Sequence, residues 1–350
     1  MKNDPNLDIL RSLAVTIVFG VHFAQAIAGS VYGQRVVFGL DTWALGRLGV
    51  LYFFVHTALV LMESMERSKA TGWTLAKQFY IRRAFRIYPL SMLLVILVVI
   101  LRIPENSEAG TRYVWRGFGW LLSNLTLTQN LAHKGLVSAP LWSLPYEIDM
   151  YVLLPLLFLG LRTGSAKRLA TVYGAGLILG LSFEKAMLMP CFLAGIVAWW
   201  LLPRVRKRFP AWAWLPYLLA LSIGWGLMNR PDDLRSGTAA VCLLAGLGIP
   251  LFHRASGWIT RAAAFIAKYS YGIYLWHTPL LWYFYRHLQM AAWQSTAAVL
   301  CSTTLVSAVT FHFIEDPLIG IGKRVVARLT KHEGARVSAG SVGTATAPQV

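Results

Sequence analysis

Residues 87–103 read IYPLSMLLVILVVILRI, an almost unbroken apolar run. A helix that crosses a bilayer needs about 20 mostly apolar residues, with a range of about 17–25, so this run is long enough to span a membrane. Nine further apolar runs lie along the chain. They cover residues 8–28, 43–62, 145–161, 168–183, 186–202, 213–228, 237–252, 269–287 and 295–314. The sequence therefore predicts an all-α, polytopic membrane protein with about ten transmembrane helices.

The composition excludes an ordinary soluble protein. Of 350 residues, 56% are hydrophobic and only 14% are charged, whereas soluble domains carry about 25% charged residues. Intrinsic disorder of the whole chain is excluded because it requires low hydrophobicity. The net charge of +18 would suggest nucleic-acid binding in a soluble protein. Here the basic residues lie between the apolar runs, so we interpret them as determinants of membrane topology and expect no nucleic-acid partner.

The positions of Lys and Arg also predict the orientation of the chain. If the ten helices alternate in direction from a cytoplasmic N-terminus, about two thirds of the basic residues fall in cytoplasmic segments, as the positive-inside rule requires. We therefore expect a multi-pass protein of the plasma (inner) membrane with both termini in the cytoplasm. The largest outer loop is then 104–144, and its weakly apolar segment 116–131 is expected to be interfacial or re-entrant.

The chain is expected to form one membrane domain and a tail. Residues 1–322 contain all the predicted helices and form the membrane-embedded domain. Residues 323–350 are basic at first and then rich in Gly, Ala, Ser and Thr. This composition is typical of disorder, so we expect a disordered cytoplasmic tail.

The first apolar run carries two ionisable residues, Arg11 and His22. Such residues are costly inside a membrane, so each is a functional hypothesis. Eleven steps of about 100° place both side chains on one helix face, about 16 Å apart along the axis. Histidine changes charge near neutral pH and therefore suits a general base. The alternative is that Arg11 extends to the interface and His22 is a hydrogen-bonded packing residue.

Two arginines precede the run that begins at residue 87. Arg83 and Arg86 stand three residues apart and therefore share a helix face. Paired guanidinium groups suit phosphate, because each presents a planar fork of hydrogen-bond donors. The alternative is an anchor at the cytoplasmic interface or contact with anionic lipid headgroups.

The fourth predicted span, 145–161, has acidic residues in its first turn. Glu147 and Tyr151 are four residues apart and share a helix face, and under the predicted orientation they lie near the outer end. Glu147 is a candidate to orient His22 and raise its basicity. The alternative is that an acid in the first helical turn only interacts with the helix dipole, which is the preferred role for Asp149.

Two further histidines lie within apolar runs. His56 and His277 are candidates to line a polar cavity, although each also fits a buried, hydrogen-bonded packing residue. The sequence contains no spacing typical of a metal site, a phosphate-binding loop or a nucleophilic serine. We therefore expect neither a metal nor a permanently bound cofactor.

Five segments, in order along the chain, together resemble the acyltransferase-3 family of integral-membrane acylases that modify bacterial surface sugars. They are Arg11 followed by His22, RAFRIYP at 83–89, WSLPYEIDMY at 142–151, SYGIYLWH at 270–277 and FIEDP at 313–317. The resemblance covers about residues 7–322. One departure is FFVHTALV at 53–60, where the family usually reads FFVLSGFLI, so His56 is unusual and the acceptor is left open.

The resemblance implies a membrane-bound O-acyltransferase that moves an acyl group, most often acetyl, from acyl-CoA to a sugar hydroxyl of a polysaccharide, glycolipid or related glycan. Acetyl-CoA or another acyl-CoA is then a co-substrate, and the protein is surrounded by membrane lipid. The implied site consists of catalytic His22, Glu147 and Arg11, donor-binding Arg83 and Arg86, and a substrate cavity with Trp142, Tyr151 and His277. His56, which departs from the family pattern, is a further candidate to line that cavity.

The main alternative is a polytopic transporter or a lipid or glycolipid flippase. Such a protein also has about ten spans with buried His, Arg and Glu. The arginine pair together with a His–Glu pair favours acyl transfer, because transport does not require them. A structural subunit of a polysaccharide assembly complex is a third possibility, and in it the intramembrane charges would be dispensable.

Overall fold

The structure is a computed structural model that describes residues 4–27, 36–37, 39–68, 70–105, 112–228, 234–288 and 290–342. These residues are almost entirely helical. The helices are α1 (Pro5–Ile27), α2 (Thr42–Glu66), α3 (Gly72–Ile100), α4 (Phe118–Leu125), α5 (Leu144–Leu161), α6 (Ala166–Ser182), α7 (Met189–Leu201), α8 (Trp214–Met228), α9 (Leu234–Leu251), α10 (Trp258–Trp282), α11 (Ala292–Thr310) and α12 (Asp316–Val342). Two short antiparallel strands, β1 (Val36–Val37) and β2 (Leu40–Asp41), precede α2.

Several short helical turns of other types connect or extend these helices. The 3₁₀ turns are Ala139–Trp142, Glu184–Ala186 and Ala211–Ala213. The π-helical turns are Tyr283–His287 after α10 and Phe311–Glu315 between α11 and α12.

Each of the ten predicted spans coincides with a helix, although α3 and α10 begin well before the predicted 87 and 269, at Gly72 and Trp258. In the described part of the chain, seven helical segments are long and apolar enough to cross a membrane. They are Pro5–Ile27, Thr42–Glu66, Gly72–Ile100, Ala139–Leu161, Glu184–Leu201, Ala211–Met228 and Ala292–Thr330. The apolar helix Arg235–Leu251 is shorter. The protein is therefore a mostly helical, multi-pass membrane protein, and the count of ten spans stays a prediction.

The surface of the helices is as apolar as a lipid environment requires. Leu156, Ile178 and Leu305 lie on three different helices and are each exposed by about two thirds. Large exposed apolar side chains of this kind are expected where helices face lipid tails rather than water.

Helix α1 packs in parallel against α10. Arg11 contacts Ser270 near the start of α1, and His22 contacts His277 further along both helices. The ten-span order predicts this direction, because the first and ninth spans run the same way across the membrane. This packing brings the two ionisable residues of α1 next to the polar face of α10.

Small residues allow the closest helix contacts. A Cβ atom on Gly195 of α7 would lie 2.1 Å from the carbonyl oxygen of Val55 in α2. A Cβ on Gly49 of α2 would lie 2.7 Å from the carbonyl oxygen of Ala14 in α1. Membrane helices lack a hydrophobic driving force for association, so such backbone contact is an important source of packing energy.

Replacing Gly195 with alanine is expected to destabilise the bundle by about 1–3 kcal/mol, the usual cost of overpacking. The added methyl group forces α2 and α7 apart. Gly174→Ala in α6 is the matched control, because a Cβ there meets nothing within 4 Å and alanine favours the helix. Thermal unfolding in detergent measures both variants. An unchanged melting temperature for Gly195→Ala would contradict the close contact.

The predicted outer loop folds back into the bundle. The short helix α4 lies within the segment predicted to be interfacial or re-entrant, and it is too short to span a membrane. The Asn124 side chain is fully buried and donates to the carbonyl oxygens of Trp120 and Gly135 at 2.9 and 3.0 Å. Gln129 donates to the carbonyl oxygen of Leu141 at 3.1 Å. These internal hydrogen bonds allow irregular backbone to lie inside a membrane protein.

The end of the chain differs from the prediction. Helix α12 continues to Val342, whereas disorder was expected from residue 323. Packing against α3 explains the first part of this helix, because Val326 is 4% exposed and Gln78 donates to Thr330 at 3.0 Å. Residues 343–350 of the predicted tail lie outside the described residues.

Candidate active site

A cavity of about 110 Å³, lined by apolar and charged side chains, lies where α1, α2, α3, α5 and α10 meet. Six of the nine predicted site residues line it, namely Arg11, His56, Arg83, Arg86, Glu147 and Tyr151. Three guanidinium groups against one carboxylate leave the lining positively charged, which suits an anionic or electron-rich ligand. Drug-sized ligands occupy about 300–1,000 Å³, so this cavity has room for a small group or part of an extended chain.

Helix α10 fixes Arg11 at the wall of the cavity. The Nε atom of Arg11 donates to the hydroxyl oxygen of Ser270 at 2.6 Å. The Ser270 hydroxyl donates its own proton to the carbonyl oxygen of Ala267 at 2.9 Å. It is therefore free to accept from Arg11, and the side chain does not simply extend to the interface.

Arg86 is held by a buried ion pair. Its Nη1 atom lies 2.9 Å from Oε2 of Glu315, and the two side chains are 18% and 1% exposed. The guanidinium carbon also lies 5.6 Å from the ring centroid of Tyr271. A carboxylate buried to this extent requires a partner cation, so Glu315 and Arg86 depend on each other.

Glu315 is a residue of the site that sequence reasoning missed. In the sequence, Glu315 lies at the end of the last apolar run, just before Pro317. That place suggests a position at the membrane interface. In the structure it is the last residue of the π-helical turn Phe311–Glu315 and is 2% exposed. Such turns often occur at functional sites. The available signal was its place in the FIEDP segment, one of the five that carry the family resemblance.

Glu147 lines the same cavity as the two arginines of α3. It was expected near the outer end, away from Arg83 and Arg86, yet all three line one cavity. Arg86 is at the middle of α3, roughly 21 Å from either end. Glu147 is in the first turn of α5, so α5 begins beside the middle of α3. The Glu147 carboxylate accepts a hydrogen bond from the hydroxyl of Tyr151.

His22 lies outside the group of residues that line the cavity. Its Nδ1 atom is 2.7 Å from the carbonyl oxygen of Val18. Its ring lies 4.9 Å from the ring of His277, at an angle of 65°. The Val18 carbonyl oxygen helps to orient the His22 ring, and Glu147, the partner predicted for His22, lines the cavity. We call His22 and His277 the imidazole pair.

Tyr274 connects the cavity with the imidazole pair. Its side chain lines the cavity, and its ring centroid is 6.0 Å from that of His277. The Tyr274 hydroxyl donates to the carbonyl oxygen of Pro140 at 2.8 Å and accepts from the Ser143 hydroxyl at 2.8 Å. The two sites are therefore neighbours, with the ring of Tyr274 between them.

The remaining predicted residues have less direct positions. His56 of α2 is 7% exposed and lines the cavity. Trp142 ends the 3₁₀ turn before α5 and packs against Tyr146, with 6.4 Å between ring centroids, without lining the cavity. In the part of the chain that the structure describes, no group of three or more His, Cys, Asp or Glu residues is arranged to hold a metal ion.

Comparison with known proteins identifies the family. The model of the acyltransferase-3 family, described as an acyltransferase domain, matches residues 4–312. The chain belongs to the acyltransferase-3 family. The resemblance carried by the five sequence segments is thus confirmed, and residues 4–312 form an acyltransferase domain.

Two characterised relatives of this acyltransferase-3 protein are similar to it at low identity. The peptidoglycan O-acetyltransferase OatA of Listeria monocytogenes is 24% identical, over 91% of this chain and 56% of OatA. The acyltransferase MdmB of Streptomyces mycarofaciens is 29% identical, over 75% of this chain and 69% of MdmB. The chain therefore spans little more than half the length of OatA. No solved structure matches the chain.

The geometry of the site agrees with what an acyltransferase-3 protein must do. Acyl transfer to an alcohol requires a base for the hydroxyl proton and a place that holds the acyl donor. Neutral imidazole is a group able to take such a proton, and three arginines line the cavity beside the imidazole pair.

Proposed function

We propose that this acyltransferase moves an acyl group, most simply acetyl, from acyl-CoA to a hydroxyl of a polysaccharide, glycolipid or related glycan. The observation that carries the proposal is the position of the imidazole pair beside a cavity lined by three arginines. The similarity to a peptidoglycan O-acetyltransferase supports an O-linked glycan acceptor.

The donor is held by charge at the end of the cavity nearest α3. Arg83 also lines a smaller adjoining pocket, together with Arg82 and Gln78. Guanidinium forks match phosphate oxygens, so the nucleotide phosphates of acyl-CoA bind at Arg82 and Arg83. The acyl-bearing arm then extends past Arg86 into the cavity, which is too small for the nucleotide itself.

The length of the site supports a long donor. Arg11 and His22 lie on one continuous helix and are about 16 Å apart along its axis. In acyl-CoA a flexible arm separates the phosphates from the thioester, so one molecule engages the arginines and the imidazole pair together. A compact acyl donor would reach only one of the two sites.

His22 acts as the general base. Because a carbonyl oxygen only accepts hydrogen bonds, Nδ1 of His22 carries the proton donated to Val18. The neutral ring therefore presents a lone pair at Nε2. This nitrogen takes the proton of the acceptor hydroxyl, the hydroxyl oxygen bonds to the thioester carbonyl carbon, and the carbon–sulfur bond breaks to release the CoA thiolate. General-base catalysis contributes about 10²–10⁴-fold to the rate.

The proposed orientation places the donor in the cytoplasm. Both termini and the pocket at Arg82 lie on the cytoplasmic side, and residues 1–322 form the catalytic domain. The acceptor approaches the imidazole pair from the outer half of the membrane. An acceptor that cannot cross the membrane is then acylated only when it is supplied on the outer side.

The test is acyl transfer by the purified protein in lipid nanodiscs. We expect release of the CoA thiol from acetyl-CoA and acetylation of soluble peptidoglycan fragments, measured by thiol titration and mass spectrometry. S-acetylpantetheine, which keeps the thioester but lacks the nucleotide phosphates, is the matched donor control. It is expected to show at least a tenfold higher KM, because charge-assisted phosphate contacts are lost.

Three results would contradict parts of this proposal. Equal KM values for the two donors would exclude phosphate binding at Arg82 and Arg83. If acetyl-CoA is consumed but the fragments stay unmodified, mass spectrometry of surface glycans from cells with and without the gene identifies another acceptor. Absence of any thiol release would contradict acyl-CoA as the donor.

A further inference from the structure

His56 is a polar residue in the part of the cavity wall that α2 forms. This part of the wall is apolar except at His56 and its neighbour Thr57. His56 is 7% exposed and forms no hydrogen bond with another residue that the structure describes. Inside a helix bundle, a polar group without a partner costs free energy. The available partner for the His56 ring is therefore a polar group of a ligand in the cavity.

The position of His56 along α2 shows which part of a long donor lies beside it. Leu61 borders both the cavity and the smaller pocket at Arg82. In the other direction, the ring of Phe53 lies 6.0 Å from that of Tyr274, next to the imidazole pair. Along the helix axis, His56 is about 7.5 Å from Leu61 and about 4.5 Å from Phe53. His56 therefore lies between the two ends of the path proposed for the donor.

The chemistry of imidazole limits the ligand group that His56 recognises. In its neutral form the ring offers one N–H donor and one lone pair. Phosphate oxygens are acceptors that arginine pairs with more strongly, and three arginines already line the cavity. A secondary amide offers a carbonyl oxygen to the ring N–H and an N–H to the ring lone pair. The arm of acyl-CoA between its phosphates and its thioester contains two such amides.

We propose that His56 is a specificity residue for the donor, and that its ring forms a hydrogen bond with a secondary amide in the arm of acyl-CoA. The inference rests on the proposed acyl transfer. The amides lie away from the reacting thioester, so this contact is the same before and during the reaction. It therefore lowers the KM for the donor and leaves kcat unchanged.

The test combines one replacement with three donors. Leucine in His56→Leu has a similar volume but no polar atom. We expect the KM for acetyl-CoA to rise about tenfold, because the amide loses its hydrogen bond. S-acetylpantetheine keeps both amides and should show the same relative increase. S-ethyl thioacetate has no amide, so its kcat/KM should be equal for the variant and the wild-type protein.

Two further measurements separate donor recognition from packing. The melting temperature of His56→Leu should not fall, because no hydrogen bond to a described residue is lost. His56→Gln restores a group that both donates and accepts, so it should recover part of the affinity for acetyl-CoA. The matched control is His287→Leu, the same replacement at an exposed histidine in the turn that follows α10, which should leave the KM unchanged.

Three results would overturn the inference. The first is a wild-type KM for acetyl-CoA in His56→Leu. The second is an equal loss of kcat/KM with S-ethyl thioacetate, since that donor has no amide to recognise. The third is a loss of activity that only accompanies a lower melting temperature, because it indicates a packing role.

The wild-type protein alone decides the proposed function. If it releases thiol from acetyl-CoA and acetylates a glycan, the proposed function stands whatever the result for His56. If it releases no thiol, the proposed function fails, and the inference fails with it.

Discussion

Replacing His22 with alanine is expected to lower kcat for acyl transfer at least 100-fold, because a positioned general base contributes about 10²–10⁴-fold. The KM for acetyl-CoA should change little, since the arginines that hold the donor lie elsewhere along α1 and α3. Thiol release by the protein in nanodiscs, measured over a range of acetyl-CoA concentrations, separates the two parameters.

A second variant separates catalysis from helix packing. His22→Asn retains an N–H donor for the carbonyl oxygen of Val18 but has no basic nitrogen, so we expect the same loss of kcat with an unchanged melting temperature. His312→Ala is the control, because His312 is exposed and lies outside the site. Retention of the wild-type rate by His22→Asn would exclude His22 as the base.

The sequence was sufficient to predict positions along single helices. Arg11 and His22 were expected on one face of one helix, and α1 is continuous from Pro5 to Ile27. The apolar runs also predicted where helices lie, because the cost of exposing backbone to lipid leaves few alternatives to a helix. These predictions depend only on local spacing and hydrophobicity.

Partners between helices could not be predicted in the same way. The sequence favours Glu147 as the partner of His22, whereas it gives no sign that the parallel packing of α1 on α10 makes His277 a neighbour of His22. The depth of Glu147 depends on how the segment before α5 folds back. That fold depends on buried side-chain hydrogen bonds such as those of Asn124, which leave no periodic signal in the sequence.

Replacing Arg86 alone is expected to have the largest effect on stability. Arg86→Gln leaves the carboxylate of Glu315, with 1% of its side chain exposed, without its cation. Breaking a buried ion pair by removing one partner costs about 3–5 kcal/mol. Chemical unfolding in detergent measures this loss. Asp316→Asn is the control, because it removes an adjacent carboxylate that is exposed, and it should change the free energy of unfolding little.

The double variant Arg86→Gln with Glu315→Gln separates the structural role of the pair from its chemical role. Two neutral amides are able to hydrogen-bond each other, so no buried charge remains and most of the lost stability should return. The rate of acyl transfer should stay low, because the cavity has lost one of its three guanidinium groups. A double variant whose losses simply add would show that the two side chains do not interact. If both the stability and the rate of acyl transfer recovered, Arg86 would serve only to neutralise Glu315. The donor would then be held by Arg11 and Arg83 without Arg86.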